Sequence, residues 1–499
     1  MDNIHISELV SAVKGELLQG DASKDTVISE ACSDNRIARE GSVFFAFKGE
    51  NTDGHKYVKA ALEAGATAAV ISDSSIPHLP ASYSGRYIIR VEDTLKAAGD
   101  LAAWYRRRFD IPVVGVTGSV GKTTMKDMIY SVLSEAFNVT ATEGNFNNNI
   151  GLPRTVLRID SDSQAAVLEM GMNHMGEIDY LTRIAAPTMA VITNVGDAHI
   201  GNLGSRENIF KAKCEIFNGL AEGGFAVMNA DDEYLPLLKE DADKQGRYDF
   251  VWIGEDESAD LRAVNIDDSS SEGLTFDMLI PSQYFRGTVP GMDDLVIRRV
   301  RVPAPGRHMI YPALAACAIG LRSGMSLDLI IRGIEHFTPS AKRMETWQLD
   351  GGITVYNDTY NANPQSMKAG LKTLSNTKAA ARIAVLGDML ELGDMEEALH
   401  REVGAAAAEA GIDLLVTVGP AATYICDEAL KRGPIKAVHF DDNDSALKAI
   451  SEAAREYIGA AGSGDVCPLA VYFKASHAMA FDKLSAAFKD LLINIDNNM

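Results

Sequence analysis

The residues whose types and spacing promise chemistry most directly lie in one run, Val113 to Thr124, which reads VVGVTGSVGKTT. A buried-strand pattern enters a loop and leaves it as a helix pattern. Gly118 and Gly121 allow the loop's backbone N–H groups to close around phosphate oxygens. The helix beginning there directs its positive end at the same anion. Lys122 offers a point charge to the β- and γ-phosphates and the Thr123 hydroxyl a ligand for Mg²⁺, with Ser119, Val120 and Thr124 completing the cradle. The strict motif places a further Gly five residues before the Gly of the Gly-Lys pair, and Val116 stands there, so the loop is a variant. A bland Gly-rich turn beside a surface Lys is the competing reading, and the coincidence of strand, loop and helix speaks against it. Such a loop predicts ATP or GTP binding and leaves the reaction open.

The elements that must position this loop follow from the rest of the chain. At 499 residues with 46% hydrophobic side chains, the sequence has material for several cores. Apolar runs alternate with amphipathic stretches, which predicts α/β domains with largely parallel sheets. The expected division is 1–108, a small α/β domain with a strand at Ser42 to Phe47 and a helix at Lys56 to Gly65; 109–338, a central phosphate-loop domain; and 339–499, a Rossmann-like doubly wound domain. The first boundary falls in the basic stretch Trp104 to Asp110. The central domain carries a β-rich insert from about Arg262 to Val302, in which LTFDML and LVIRRVRV alternate at period two and DDSSSEG reads as a solvated loop. In the last domain ITVYND, RIAVLGDM, LLVTVG, KAVHF and LAVYFKAS alternate with five helical patterns.

Charge and cysteine usage exclude several classes. The formal charge of -22 and isoelectric point of about 4.9 speak against a nucleic-acid surface. The five cysteines, at 32, 214, 317, 426 and 467, form no CxxC pair, so free thiols are expected rather than a disulfide framework or a zinc site. No apolar run approaches the ~20 residues that span a bilayer, and the first residues lack a signal-peptide core. The expectation is a soluble, cytoplasmic monomer.

Further motifs follow the phosphate loop in order: EGNFNNNIG (Glu143 to Gly151), LEMGMNHMGEI (Leu168 to Ile178), TNVGDAHIGNLGS (Thr193 to Ser205), KAKCEIF (Lys211 to Phe217) and MNADD (Met228 to Asp232). With TGSVGKTT they resemble the central domain of the Mur ligases of peptidoglycan synthesis. NDTYNANPQSM (Asn357 to Met367) and LGDMLELGDMEEALHREVG (Leu386 to Gly404) resemble the branch of that family that adds D-alanyl-D-alanine to UDP-N-acetylmuramoyl-tripeptide. SDNR (Ser33 to Arg36) and FKGENTDGHKYV (Phe47 to Val58) resemble its UDP-substrate domain.

The resemblance implies an ATP-dependent ligase that forms an acyl-phosphate, with two Mg²⁺ ions. It implies metal ligation by Thr123, Glu169 and His199, and by Lys213 as a carbamate; Lys211 is a competing candidate and an unmodified phosphate clamp the alternative role. It places Arg343 and Asp358 on the nucleotide. Substrate contacts fall to Asp34 and Arg36 in the first domain, to Asn145, Asn147 and Asn148 in the second, and to Tyr360, Asn361, Asn363 and Ser366 at a turn and helix start in the third. Taken alone, a Glu at a strand end or a His after a strand is as well read as a capping or loop residue.

Several positions depart from the family pattern. Met309 and Pro312 replace asparagines near the nucleotide base, Lys342 replaces a Gly before Arg343, and Ala475 and His477 replace a Gly and an Arg after Lys474. They leave two alternatives open: a related ligase with another amine substrate, and a degenerate paralogue that binds ATP as a scaffold or regulator. Whether the tripeptide ends in lysine or diaminopimelate is open too.

Overall fold

The computed structural model describes residues 1–49, 52–72, 85–281, 295–460 and 467–496. Glu50 and Asn51 of the FKGENTDGHKYV run, residues 282–294 of the β-rich segment and the side chain of Cys467 lie outside the described residues.

Three mixed α/β units follow one another along the chain. The first holds a five-stranded sheet in the order Glu16–Gln19, Tyr87–Arg90, Ala68–Ile71, Ser42–Phe45, Glu30–Cys32. Only the Glu16–Gln19 edge is antiparallel to its neighbour. The Ser42–Phe45 strand is buried along its whole length, and the helix expected from Lys56 is α-helical over Val58–Ala64 after a turn of 3₁₀ helix at Gly54–Tyr57.

The second unit is built on a nine-stranded sheet. Its parallel part runs Asp249–Gly254, Phe225–Asn229, Met189–Ile192, Val113–Thr117, Ala165–Glu169, Val139–Ala141. The Val113–Thr117 strand sits inside, buried at every residue, because both faces carry helices. On one face the helix Lys122–Leu133 packs against Ile310–Arg322 and Leu327–Glu335, drawing Met125, Met128, Ile129 and Val132 into the core. The β-rich segment extends the same sheet through Leu261–Ser270, Gly273–Pro281 and Leu295–Val302, paired antiparallel. Here one expectation is corrected. DDSSSEG is strand through Ser270, and only Ser271 and Glu272 turn; bulges around Asp267 let the polar stretch keep its ladder while facing outward.

The third unit has the order Glu345–Leu349, Ile353–Asn357, Cys467–Lys474, Ala379–Gly387, Leu414–Val418, Lys436–Phe440, all parallel except the Glu345–Leu349 edge. Five α-helices, starting with Pro364–Asn376, cover it.

The basic stretch expected as a boundary is the end of a helix, Thr94–Arg106, and it joins the first two units rather than merely separating them. Tyr105 donates its hydroxyl to the Ile159 carbonyl (2.6 Å) and Arg106 its Nε–H to the Ala185 carbonyl (3.0 Å). Cys32, Cys317 and Cys426 are buried free thiols and Cys214 a half-buried one.

Candidate active site

The phosphate loop is held from below by the strand beside it. Ser119 N–H donates to the Asn194 carbonyl (3.0 Å) and Val120 N–H to Asn194 Oδ1 (3.0 Å). The Val120 carbonyl accepts from Thr193 Oγ1 (2.6 Å) and Asn194 Nδ2 (3.0 Å). Gly118 is required by contact: its φ is +145° and a Cβ there would lie 1.9 Å from Thr193 Oγ1. Gly121 caps the following helix in the left-handed region. The Lys122 ammonium donates to the Gly118 and Ser119 carbonyls (2.9 and 3.3 Å). Burial pushes its pKa down, the Glu169 carboxylate opposes that, and the Arg343 charge adds to it.

Glu169 ends the strand adjacent to the loop strand, in register with Val116. Its Oε2 accepts from Thr123 Oγ1 (2.8 Å) and its Oε1 from Asn147 Nδ2 (2.7 Å). A buried carboxylate and a hydroxyl at a phosphate cradle are oxygen donors that suit Mg²⁺, which takes its other ligands from phosphate and water. Among the described residues no three His, Cys, Asp or Glu side chains gather into a metal cluster.

His199 and Lys213 form a second feature. His199 takes a left-handed φ of +65°; its Nδ1 is buried and lies 3.2 Å from Glu391 Oε2 without making a hydrogen bond. Burial first, then the charges of Lys122 and Lys213, pushes the imidazole down to about 4. Lys213 is fully buried and, among the described residues, its Nζ has no hydrogen-bond partner. Burial, with Lys122 adding to it, pushes this amine well below the lysine range, against the pull of Glu177 and Glu215. Lys211, by contrast, is exposed and pairs with Glu207 (2.6 Å).

One cleft of about 620 Å³ gathers most of the expected residues: the loop from Ser119 to Thr124, Asn145, Asn147, Asn148, Glu169 and His199 on one side, and Arg343, Asp358, Tyr360, Asn361, Asn363 and Ser366 on the other. Arg343 stacks on Tyr360, 3.9 Å from the ring centroid. Asp358 accepts from Lys474 Nζ (2.5 Å), Tyr472 OH (3.2 Å) and the Met344 N–H (3.2 Å), so its carboxylate is already engaged within the protein. Asn363 caps the Pro364–Asn376 helix through Ser366 N–H (2.9 Å), with the Ser366 hydroxyl closing the box at Asn363 N–H (3.2 Å). Asp34 and Arg36 are not in this cleft; they bind each other through hydrogen bonds of 2.6 to 3.0 Å on the surface of the first unit, and the arginine holds the carboxyl down at about 2.

The departures have local explanations. Lys342 keeps a left-handed φ of +62° and pairs with Asp482 (2.8 Å). Ala475 is buried against Gly387, away from the cleft. Met309 and Pro312 do line it, beside Phe337, Ala304 and His308. Residues not foreseen are also here. Gln365 reaches over Gly196, Tyr311 donates to Asp231 Oδ2 (2.9 Å), and Glu391 faces His199. Gln365 and Glu391 fall inside the quoted NANPQSM and GDMLELG runs, but nothing in their type marked them.

Family descriptions match three stretches: "Mur ligase family, catalytic domain" over 32–106, "Mur ligase middle domain" over 116–320 and "Mur ligase, glutamate ligase domain" over 342–464. The chain belongs to the Mur ligase family. Among its relatives, the UDP-N-acetylmuramoyl-tripeptide–D-alanyl-D-alanine ligase of Bacillus subtilis is 38% identical over 98% of both chains. The Escherichia coli enzyme of the same name is 37% identical over 84% of this chain and 86% of its own. A crystal structure of MurF from Acinetobacter baumannii superposes with a TM-score of 0.85 at 29% identity, covering 98% of this chain and 99% of that one. MurF from Thermotoga maritima, solved in complex with ADP, gives 0.76 at 26% identity over 92% and 97%. This Mur ligase is therefore an ATP-dependent ligase with the three-domain architecture of MurF structures.

Proposed function

We propose that this chain uses ATP to join D-alanyl-D-alanine to UDP-N-acetylmuramoyl-tripeptide in the synthesis of peptidoglycan precursors. The observation that carries the reading is the single cleft in which the phosphate loop of the central unit faces the capped start of helix Pro364–Asn376 in the third. A nucleotide on one wall and an acceptor on the other is the geometry a two-substrate ligation needs. The domains are 1–108 for the UDP-substrate, 109–338 for ATP and 339–499 for the dipeptide. The enzyme is taken to act as a monomer. Among the described residues no helix is long and apolar enough to cross a membrane, which is compatible with a cytoplasmic reaction on small-molecule substrates.

The roles follow from position. Backbone N–H groups from Gly118 to Thr124 and the Lys122 ammonium hold the β- and γ-phosphates. The tripeptide carboxylate attacks the γ-phosphorus, forming a P–O bond as the bond to ADP breaks. The dipeptide amine then displaces phosphate from the acyl carbon, loses a proton and becomes the amide nitrogen. Asn145, Asn147 and Asn148 shape the wall beside Glu169, Arg343 brings the third domain to the nucleotide, and Asp358, expected on the nucleotide, instead anchors Lys474 at the cleft wall. Thr123 and Glu169 would hold one Mg²⁺ ion and His199 and Lys213 a second, and such ions would supply charge neutralisation between two anions. A buried Lys213 nitrogen without a partner fits a carbamate: the neutral amine adds to the carbon of CO₂ and releases a proton, converting a potential cation into an oxygen donor. Asp34 and Arg36 remain assigned to the UDP portion, away from the chemistry.

The test is phosphate release from ATP by purified protein. It should require both UDP-muramyl-tripeptide and D-alanyl-D-alanine. Release that depends on a different amine would favour another branch of the family, and none with any amine would favour the binding paralogue.

A further inference from the structure

Glu391 lies on the cleft wall contributed by the third unit, with a side chain 61% exposed. Among the described residues no donor forms a hydrogen bond to its carboxylate; its nearest polar neighbour, His199 Nδ1 at 3.2 Å, is itself unpartnered. Its backbone φ is +65°, a conformation that favours glycine. A non-glycine residue held in that region by its surroundings is a recognised mark of a functional position.

The surroundings do hold it. Buried His400 accepts the Met389 N–H at Nε2 (3.0 Å) and donates from Nδ1 to the Glu396 carbonyl (2.7 Å). Ser476 Oγ accepts the Leu390 N–H (2.9 Å), and Ser476 N–H donates to the Asp388 carbonyl (3.0 Å). Asp388 Oδ1 in turn accepts the Ala422 N–H (2.7 Å). On the far side, Gly393 and the Glu391 carbonyl pack directly on Gly201 of the central unit. This hydrogen-bonded loop therefore presents a carboxylate that accepts no hydrogen bond among the described residues, beside His199.

We propose that Glu391 binds the ammonium group of the incoming dipeptide and, once that group has passed one proton to solvent, orients the neutral nitrogen toward the acyl carbon. This rests on the function proposed above and deepens it. The dipeptide is a zwitterion, and the third unit offers two matching ends: the side-chain amides of Asn361 and Asn363 for its carboxylate, and Glu391 for its amine. The Glu391 side chain is 61% exposed, so the substrate's positive charge can approach it from the open side of the cleft.

The experiment compares full-length wild type, Glu391→Gln and Glu391→Asp with ATP and UDP-muramyl-tripeptide saturating and D-alanyl-D-alanine varied. Two further readouts are the dipeptide-independent isotope scrambling in ATP that reversible acyl-phosphate formation produces, and the Mg²⁺ concentration for half-maximal rate. The expected result is a tenfold or greater rise in the dipeptide KM for Glu391→Gln. Its KM for ATP and its Mg²⁺ requirement should stay within twofold of wild type, and its scrambling should persist. Glu391→Asp should recover part of the loss. An unchanged dipeptide KM in an active, folded variant overturns the proposal. So does lost scrambling together with a raised Mg²⁺ requirement, which would make Glu391 a metal ligand. If wild type releases no phosphate with this amine, the proposed function fails and the role of Glu391 falls with it.

Discussion

The Lys122 ammonium donates to loop carbonyls and lines the cleft, so its charge is placed to serve a ligand. Lys122→Ala should abolish ligation while leaving circular dichroism and the melting temperature close to wild type; turnover near the wild-type rate in a folded variant would remove the assignment. Lys213 is the opposite kind of lysine, fully buried with no hydrogen-bond partner among the described residues. A bare ammonium beside Mg²⁺ would be repelled by about 4 kcal/mol per unit-charge pair at 4 Å and intermediate dielectric. Lys213→Ala should lower the rate by roughly 10²-fold or more, since charge-stabilising groups at such sites contribute on that order, and acetate or formate should restore part of it. Lys211→Ala should do neither, because its exposed side chain only pairs with Glu207 one turn away. Full activity of Lys213→Ala, or equal losses in the two variants, would end the carbamate reading.

In the proposed reading two elements hold the nucleotide, the phosphate loop and a slot for the base. The loop depends on the close approach of Gly118 to Thr193, and a methyl group has no room there. Gly118→Ala should destabilise the fold by about 1–3 kcal/mol, the usual range for overpacking, and weaken ATP binding; calorimetry and ATP titration read both, and a variant with unaltered ATP affinity would show that the loop can shift. The base slot is the second element. Met309, Pro312, Phe337 and Ala304 give it apolar walls, and the Tyr311 hydroxyl is already directed to Asp231. With few free side-chain donors or acceptors to read the base, GTP should support activity within about 10²-fold of ATP, the discrimination typical of a site that recognises shape. A preference of roughly 10³-fold or more would mean that backbone groups or His308 read the purine edge.

Across the whole molecule, the cleft exists because the third unit docks on the second. Ser340 Oγ donates to Asp127 Oδ2 (2.5 Å) where the chain crosses between them, and Gly201 meets Gly393 on the opposite side. The Gly201 Cβ position is 3.0 Å from Gly393 N and 3.1 Å from the Glu391 carbonyl. Gly201→Val should therefore wedge the units apart. The expected outcome is at least a tenfold lower kcat with a larger radius of gyration in small-angle scattering and little change in melting temperature, because the contact belongs to closure rather than to either core. An unchanged kcat would show that ligation does not need this contact.

The sequence by itself determined what local chemistry determines. The phosphate loop was legible because strand, glycines, Lys122 and helix are adjacent in the chain, and the sheets because buried parallel strands are runs of Val, Ile, Leu and Ala. The family motifs brought Glu169, His199 and Lys213 into view, although residue type alone left each ambiguous. Tertiary structure decided the rest, since it depends on which surfaces meet. It showed the helix ending at Arg106 joining two units, DDSSSEG drawn into a strand by its partners, and Asp358 already claimed by Lys474. It also set Glu391 opposite His199, 192 residues away in the chain and 3.2 Å away in space. No periodicity or spacing encodes that distance, because it arises only when a loop of the third unit packs against a loop of the second.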